Sequence, residues 1–401
     1  MPLPFALNPS LEKLPVYQPG RPIEEVAREL NLPASSIIKL ASNENPLGPS
    51  RLALAAMKKA LTHAHLYPDG NAFYLKQKLA AKLGVTPANL ALGNGSNEII
   101  EFLGHALLSP ASSLSSPKGG EGRGEEANSS SSQIPSPHSG GGRESDAEVV
   151  VSQYCFAVYP IVTALFGAKL VTVPAKNYGH DLDAMLAAIT TSTRIIFVAN
   201  PNNPTGTIVS AEALQNFIQA VPPHVVIALD EAYIEFLEQK LDLVAEVVTG
   251  LRPNLILMRT FSKIYGLAGL RIGYGIGHPE LIAALEKVRQ PFNINAISQA
   301  GALATLDDAR HVEKTQRINK RGIKFFTRAC KQMKLEVVPS AANFILVRVG
   351  DGARVFAEMQ KLGVITRPMG GYQLSEWIRI SIGTPKENQR CLEALKQVLG
   401  L

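Results

Sequence analysis

The chain has 401 residues, of which 46% are hydrophobic and 18% are charged, so it is long enough for more than one domain and can bury a sizeable core. Its net charge of +6 is small for this length and its basic residues are scattered, which argues against nucleic acid and anionic membranes as partners. No segment approaches the roughly 20 uninterrupted apolar residues of a membrane span. The N-terminus does not resemble a signal peptide, and the three widely spaced cysteines match neither a disulfide framework nor a metal site. We therefore expect a soluble cytoplasmic protein without a metal ion.

A glycine-bearing turn leads into the first clearly apolar helix of the chain. The segment Ala91–Glu98 precedes a helix predicted over Ile99–Leu108. Such a turn presents free backbone N–H groups and the positive end of the helix dipole to an anion. By itself the pattern is a weak signal for an anion-binding site.

The composition changes sharply between about Ser109 and Ala147, where Ser, Gly, Pro and Glu dominate. This stretch has too few apolar residues to offset the entropy of ordering the backbone, so we predict a disordered insertion over 109–147. A domain linker is the alternative, but the strand and helix patterns on both sides belong to one sheet. Closing a longer loop costs only about 0.6 kcal/mol per doubling of its length, so the fold should tolerate the insertion.

Three short apolar runs without polar alternation predict buried parallel strands, at Ile195–Ala199, Val225–Leu229 and Leu255–Met258. Helical patterns alternate with such runs, which is typical of a parallel sheet covered by helices. Each run is followed at once by a polar cluster; the clusters are Asn200-Pro201-Asn202-Asn203-Pro204-Thr205-Gly206, Asp230-Glu231-Ala232-Tyr233 and Thr260-Phe261-Ser262-Lys263. Each cluster alone could be a turn or a helix cap. Because ligands bind beyond the carboxyl ends of strands in open α/β sheets, the three together predict one site.

The remaining elements fall into two groups. Helical patterns lie at Ala211–Ala220, Glu280–Arg289 and Ala302–Arg321. The final hundred residues change character and predict a smaller α+β domain. Its strands and helices are expected at Leu335–Val338, Phe344–Val347, Gly352–Leu362, Ile378–Ile382 and Lys386–Leu399.

The most specific motif begins inside the last polar cluster. It reads Ser262-Lys263-Ile264-Tyr265-Gly266-Leu267-Ala268-Gly269-Leu270-Arg271-Ile272-Gly273-Tyr274. With the other clusters, its serine–lysine, glycine and arginine spacing closely resembles the class I and II aminotransferases, the fold-type-I family that uses pyridoxal phosphate (PLP). The resemblance runs from about Tyr17 to Leu399 apart from the insertion. It implies an α/β fold with a mostly parallel central sheet in a large domain (residues 48–285) and a smaller α+β domain built from both termini (residues 286–401, joined by 1–47).

The resemblance also assigns the cofactor chemistry. A lysine amine can form a Schiff base with PLP, exchange it for the substrate amine and then act as a general base, and this role is implied for Lys263. Asp230 should keep the pyridine nitrogen protonated, so that the ring withdraws electrons. Asn203 and Tyr233 match positions that hydrogen-bond the phenolic oxygen of the ring. The phosphate should be held by a cup formed by Ser96, Asn97, Thr260, Ser262 and Arg271.

Two aromatic residues have a less specific signal. Phe156 falls where the family stacks a ring on the cofactor, although an aromatic ring there could also belong to the core. Tyr67 occupies the position from which this family reaches the cofactor phosphate of the neighbouring subunit, which implies a homodimer with shared active sites. The other interpretation is that Tyr67 is a turn residue with a packed ring.

Two arginines and the N-terminal segments indicate the substrate. Arg379 matches the family's arginine for the substrate carboxylate, and Arg367 ends a strand-like run nearby. The segments around Tyr17 and Asn43 closely resemble the histidinol-phosphate aminotransferases, in which an amino group moves between glutamate and imidazole-acetol phosphate. The planar fork of arginine suits both carboxylate and phosphate, so the two arginines would bind these groups in turn, with Tyr17 and Asn43 lining the substrate side. Arg367 could instead be a solvated residue at the end of a strand.

Three other functions compete with this one. An aromatic amino-acid aminotransferase and a PLP-dependent decarboxylase of a phosphorylated amino acid would share the lysine motif. A PLP-binding regulator would need an attached DNA-binding module, and no helix-turn-helix candidate precedes Tyr17. We therefore expect transamination between histidinol phosphate and 2-oxoglutarate, a step of histidine biosynthesis whose partners are small molecules.

Overall fold

The computed structural model describes Leu14, residues 20–108 and residues 146–401, which form thirteen α-helices and thirteen β-strands. The helices are α1 (Ile23–Leu30), α2 (Arg51–Leu61), α3 (Phe73–Leu83), α4 (Ser96–Leu107), α5 (Val158–Leu165), α6 (Leu182–Ala187), α7 (Ala211–Ala220), α8 (Val244–Val248), α9 (Pro279–Val288), α10 (Ala296–Thr305), α11 (Ala309–Gln332), α12 (Gly352–Lys361) and α13 (Pro385–Leu399). The strands are β1 (Ile38–Lys39), β2 (Leu90–Gly93), β3 (Glu148–Ser152), β4 (Lys169–Val173), β5 (Thr193–Ala199), β6 (Val226–Asp230), β7 (Leu255–Thr260), β8 (Gly273–Gly277), β9 (Val337–Val338), β10 (Phe344–Arg348), β11 (Val364–Ile365), β12 (Arg367–Pro368) and β13 (Trp377–Ser381). The predicted insertion lies outside the described residues except for Asp146 and Ala147, which lead into β3.

The largest sheet has seven strands among the described residues, in the order β2-β8-β7-β6-β5-β3-β4. Strands β3 to β7 are all parallel to one another, whereas β8 is antiparallel to both β7 and β2. This confirms the predicted α/β fold with a mostly parallel central sheet. The register pairs Ala199 with Asp230 and Asp230 with Met258. The polar segments that follow β5, β6 and β7 therefore leave the sheet at the same edge.

Both faces of this sheet are buried, because its strands are apolar on both sides. In β5, Ile196 and Val198 belong to one core cluster, whereas Ile195 and Phe197 belong to another. This division follows from the alternation of side chains along a strand. Helices α3 and α7 pack into the first cluster, and α4, α5 and α9 pack into the second. Helices on both faces explain why the apolar runs show no polar alternation.

The C-terminal part of the chain builds a separate antiparallel sheet in the order β12-β13-β10-β9. Helices α11, α12 and α13 cover it through a third core cluster that includes Phe326, Val355 and Leu395. The N-terminal β1 pairs in parallel with β11, with Ile38 opposite Val364. A segment near the N-terminus therefore joins the C-terminal part by backbone hydrogen bonds, while the exact domain boundaries at 47 and 285 stay a prediction.

The helix predicted over Ala302–Arg321 is wrong as a single element. The structure has two helices there, α10 and α11, separated by three residues. The side chain of Asp308 accepts a hydrogen bond from the backbone N–H of His311 at 3.1 Å and so caps the start of α11. The apolar periodicity continues through both helices, and it obscured the capping signal at the break.

A buried acidic residue, Glu235, follows strand β6 by five residues. Glu235 is nearly fully buried, and burial raises the pKa of its carboxyl group to about 7 from an ordinary value of 4.5. Its neighbour Glu231 is paired with Arg259, whose Nε donates at 2.7 Å. Burial of Glu235 favours the neutral form. The folded protein therefore binds the proton of this carboxyl group more tightly than the unfolded chain does. The stability that this proton provides is fully present below pH 4.5 and is lost as the pH rises through about 7.

We expect the variant Glu235→Gln to remove this loss. The variant should be more stable than the wild type at pH 8 by up to about 3 kcal/mol and should differ little from it near pH 5. Chemical unfolding at the two pH values measures the difference. A matched Glu101→Gln variant, at an exposed position of α4, should follow the wild type at both. A Glu235→Gln protein that is less stable than the wild type at pH 8 would contradict this account.

Candidate active site

Lys263 lies at the end of the segment that follows β7. Its amine donates to the carbonyl oxygen of Ser42 at 3.2 Å and lies 5.8 Å from the centre of the Tyr233 ring. Burial lowers the pKa of the amine to about 8, with the positive charges of Arg379 and Arg271 acting in the same direction. A substantial fraction of this lysine is therefore a neutral amine, and thus a nucleophile, in mildly alkaline solution.

The residues predicted from the sequence converge on one cavity. It is lined by thirteen of them: Asn43, Ser96, Asn97, Phe156, Asn203, Asp230, Tyr233, Thr260, Ser262, Lys263, Arg271, Arg367 and Arg379. The three polar clusters meet there because β5, β6 and β7 are adjacent and parallel. The cavity has the central sheet on one side and strands β12 and β13 on the other.

Asp230, the last residue of β6, is 5% exposed and lies in the wall of the cavity. Its Oδ1 accepts the backbone N–H of Ala232 at 3.0 Å, and its Oδ2 accepts the hydroxyl of Tyr159 at 2.7 Å. Burial raises the pKa of the carboxyl group, whereas these two donors lower it. The carboxylate is therefore held in one orientation by donors on its protein side, and it faces the cavity.

A second group of side chains forms an anion-binding cradle where α4 begins. Gly95 precedes this helix with φ +73°, and a Cβ atom there would lie 2.6 Å from a guanidinium nitrogen of Arg271. A Cβ at Gly273 would lie 2.6 Å from the backbone of Gly95. These two glycines permit a close approach that other residues would block.

The donors of this cradle belong to three segments. The hydroxyl of Thr260 donates to that of Ser262 at 2.9 Å, and the guanidinium of Arg271 donates to the carbonyl oxygen of Asn94 at 3.2 Å. Ser96 and Asn97 are the first residues of α4. Hydroxyl groups, free N–H groups of a helix start and a guanidinium together suit a phosphate group.

Asn43 and Tyr233 form a buried hydrogen-bonded pair near Lys263. The amide of Asn43 donates to the hydroxyl of Tyr233 at 2.8 Å, and its Oδ1 accepts the hydroxyl of Ser381 at 3.0 Å. Burial raises the pKa of Tyr233 to about 12, although the positive charge of Arg379 acts in the opposite direction. Tyr233 therefore presents a neutral hydroxyl group to the cavity.

The two predicted substrate arginines are paired residues on neighbouring strands, Arg367 of β12 and Arg379 of β13. Arg379 is 7% exposed; it donates to Oδ1 of Asn203 at 2.6 Å and to the carbonyl oxygen of Ala41 at 2.9 Å. Its guanidinium also lies 5.1 Å from the centre of the Phe344 ring. The register puts these two arginines opposite each other on adjacent strands, and both line the cavity, which suits a doubly charged anion.

One predicted site residue that the structure describes does not line the cavity. Tyr67 is 84% exposed, and its ring stacks on Phe292 at 4.8 Å. Tyr17 lies outside the described residues. Conversely, sequence reasoning missed two tyrosines. The hydroxyl of Tyr159 bonds to Asp230, and Tyr372, which comes between Arg367 and Arg379 in the chain, lines the cavity. Tyr159 follows Phe156 by three residues in the same aromatic segment, and that proximity was an available signal.

The described residues contain no group of three or more His, Cys, Asp or Glu side chains that could hold a metal ion. Among the helices described, none is both long enough and apolar enough to cross a membrane.

Comparison with known proteins identifies the family. The sequence model for aminotransferase class I and II matches residues 142–395. The histidinol-phosphate aminotransferase of Akkermansia muciniphila is 46% identical over 98% of each chain, and histidinol-phosphate aminotransferase 2 of Ralstonia nicotianae is 48% identical over 96% of this chain and 94% of its own. The crystal structure of histidinol-phosphate aminotransferase from Sinorhizobium meliloti in complex with pyridoxal-5'-phosphate has a TM-score of 0.82 and 28% identity, covering 98% of this chain and 97% of that one. The chain therefore belongs to the aminotransferase class I and II family.

Proposed function

We propose that this chain is a PLP-dependent aminotransferase that interconverts histidinol phosphate and 2-oxoglutarate with imidazole-acetol phosphate and glutamate, in histidine biosynthesis. The cavity fits the cofactor, because it holds an amine, a buried carboxylate and an anion cradle. The amine is that of Lys263, the carboxylate is that of Asp230, and the cradle requires the glycines at positions 95 and 273. The relative from Sinorhizobium meliloti supports this choice, since its structure contains pyridoxal-5'-phosphate.

The bound cofactor would supply an electron-withdrawing ring that stabilises negative charge on the substrate carbon. Within this chain, the amine of Lys263 is placed to bind the aldehyde carbon and to move the proton of the substrate carbon. Asp230 is placed to pair with the ring nitrogen, and Asn203 and Tyr233 to donate to the ring oxygen. The cradle at the start of α4, with Arg271, would hold the phosphate of the cofactor.

The pairing of Arg367 with Arg379 is the observation that carries the substrate proposal. Both substrates of the proposed reaction bring an anion to this end of the cavity: a carboxylate of glutamate, or the phosphate of the imidazole substrate. Two guanidinium groups match either anion by bidentate hydrogen bonds. The names of the full-length relatives point to the same substrate.

A substrate panel tests the proposed function. Purified protein loaded with PLP should convert imidazole-acetol phosphate with glutamate as amino donor far faster than it converts phenylpyruvate. A preference for phenylpyruvate would indicate an aromatic amino-acid aminotransferase instead. Release of carbon dioxide from a phosphorylated amino acid, without formation of a keto acid, would refute transamination.

We further propose that the functional unit is a cytoplasmic homodimer with shared active sites. A set of large apolar side chains is exposed on and around α2 and the start of α3: Leu52, Leu54, Leu61, Leu66, Tyr67, Phe73, Tyr74 and Phe292. Exposed apolar patches of this kind are typical of protein interfaces. A second copy of the chain is the proposed occupant, because Tyr67 occupies the position from which this family reaches the cofactor phosphate of the neighbouring subunit. The three cysteines are buried and free, as is usual in a reducing compartment.

Subunit mixing should reveal the shared sites. Lys263→Ala and Tyr67→Ala are each expected to be poorly active as homodimers. After exchange of subunits, each mixed dimer has one site with both an intact lysine and an intact tyrosine. Random pairing of equal amounts should therefore restore roughly a quarter of wild-type turnover. Two inactive dimers that exchange subunits but recover no activity would contradict shared sites.

A further inference from the structure

We propose that Tyr159 is a positioning residue for Asp230, whose carboxylate it holds in the orientation and charge state that the ring nitrogen of the cofactor requires. This inference rests on the proposed function. The hydroxyl of Tyr159 donates to Oδ2 of Asp230 at 2.7 Å, across 71 residues of sequence. Both side chains are buried. Tyr159 does not line the cavity, so it would act on the cofactor only through Asp230.

The ring of Tyr159 is fixed from several sides. It stacks on Phe197 of β5 with centroids 4.4 Å apart and planes 4° apart, and it meets the edge of Phe156 at 5.7 Å and 85°. Its backbone carbonyl accepts the hydroxyl of Thr163 within α5 at 2.8 Å. A ring clamped in this way has one position for its hydroxyl group. The donor is therefore already in place before any ligand binds.

The hydrogen bond acts against the cost of burying Asp230. Burial raises the pKa of this carboxyl group, and the hydroxyl of Tyr159 and the N–H of Ala232 are the first two groups that lower it. Each donor occupies one carboxylate oxygen on the protein side. The remaining lone pairs face the cavity, where a protonated ring nitrogen would bind them. Without the hydroxyl group the carboxylate would be both freer to rotate and less readily ionised.

The variant Tyr159→Phe removes the hydroxyl group and leaves the ring that stacks on Phe197. Its effect is measured by equilibrium binding of two probes to the protein freed of cofactor: PLP, and 1-deaza-PLP, in which carbon replaces the ring nitrogen. We expect Tyr159→Phe to weaken PLP binding about tenfold or more, because a hydrogen bond to a charged group is lost. Binding of 1-deaza-PLP should change little, since it has no nitrogen to pair with Asp230. The matched control is Tyr178→Phe, a half-buried tyrosine that packs on Trp377 and does not line the cavity, which should change neither constant.

The ratio of the two dissociation constants separates positioning from structural damage. A Tyr159→Phe protein that binds both probes equally more weakly, or PLP as tightly as the wild type, would overturn the proposal. If Tyr159→Phe does not fold, Tyr159→His provides the same comparison with a donor retained: a preference for PLP close to that of the wild type supports the role, and loss of the preference refutes it. A wild type that binds PLP but does not transaminate imidazole-acetol phosphate would refute the proposed function alone.

Discussion

Replacement of Lys263 by alanine is expected to lower turnover by about 10³-fold or more, because the same amine is proposed to hold the cofactor and to move the proton of the substrate carbon. The variant should also lose the visible absorbance that a lysine-linked PLP gives. Steady-state assays and absorbance spectra of the purified protein measure both effects. The exposed Lys287→Ala, on α9, is the matched control and should retain wild-type turnover. Activity of Lys263→Ala near the wild-type level would refute the assignment of this lysine.

The environment of Lys263 adds a pH dependence to this prediction. Because burial lowers its pKa to about 8, the amine of the cofactor-free protein is mostly protonated below that pH and mostly neutral above it. Only the neutral amine is a nucleophile. The rate at which added PLP becomes attached should therefore rise with pH and level off above about 8. A rate that is constant between pH 6 and pH 9 would mean that the amine is not the group that limits attachment.

The sequence was sufficient to predict the position of the cavity, and the reason is the geometry of parallel strands. Runs ending at Ala199, Leu229 and Met258 each preceded a polar cluster, and adjacent parallel strands bring such clusters to one edge whatever the rest of the fold does. The strand ends differ from the predicted ones by only one or two residues. Such strands are buried and apolar on both faces, so a continuous apolar run in the sequence is enough to predict them.

Contacts between distant segments could not be read in the same way. The bond from Tyr159 to Asp230 depends on how α5 packs against the central sheet, and the pairing of Arg367 with Arg379 depends on the register of two short strands. No local pattern determines either one. The division of the predicted helix at Asp308 failed for another reason: one capping side chain outweighed an apolar periodicity that continued past it.

Replacement of Arg379 by glutamine is expected to lower kcat/KM by about 10²-fold or more for both glutamate and imidazole-acetol phosphate, because each loses a bidentate partner in a buried site. Because Arg379 is buried and already oriented, its replacement should lower kcat/KM more than replacement of an exposed arginine would. The guanidinium is held by Asn203 and the carbonyl of Ala41, so it is already oriented before the anion arrives. Arg379→Lys should be nearly as damaging, since an ammonium group cannot reproduce the planar fork.

The control variant for Arg379 lies in the same sheet, on strand β10. Arg348→Gln, on β10, removes an exposed arginine that is paired with Glu336 and Glu376, and it should leave both specificity constants unchanged. The informative comparison is between the two substrates in Arg379→Gln. Equal losses mean that one arginine pair binds the carboxylate and the phosphate in turn, as the direct pairing with Arg367 leads us to expect. A loss confined to one substrate would mean that the two anions bind at different places in the cavity, and the two-anion interpretation would be wrong.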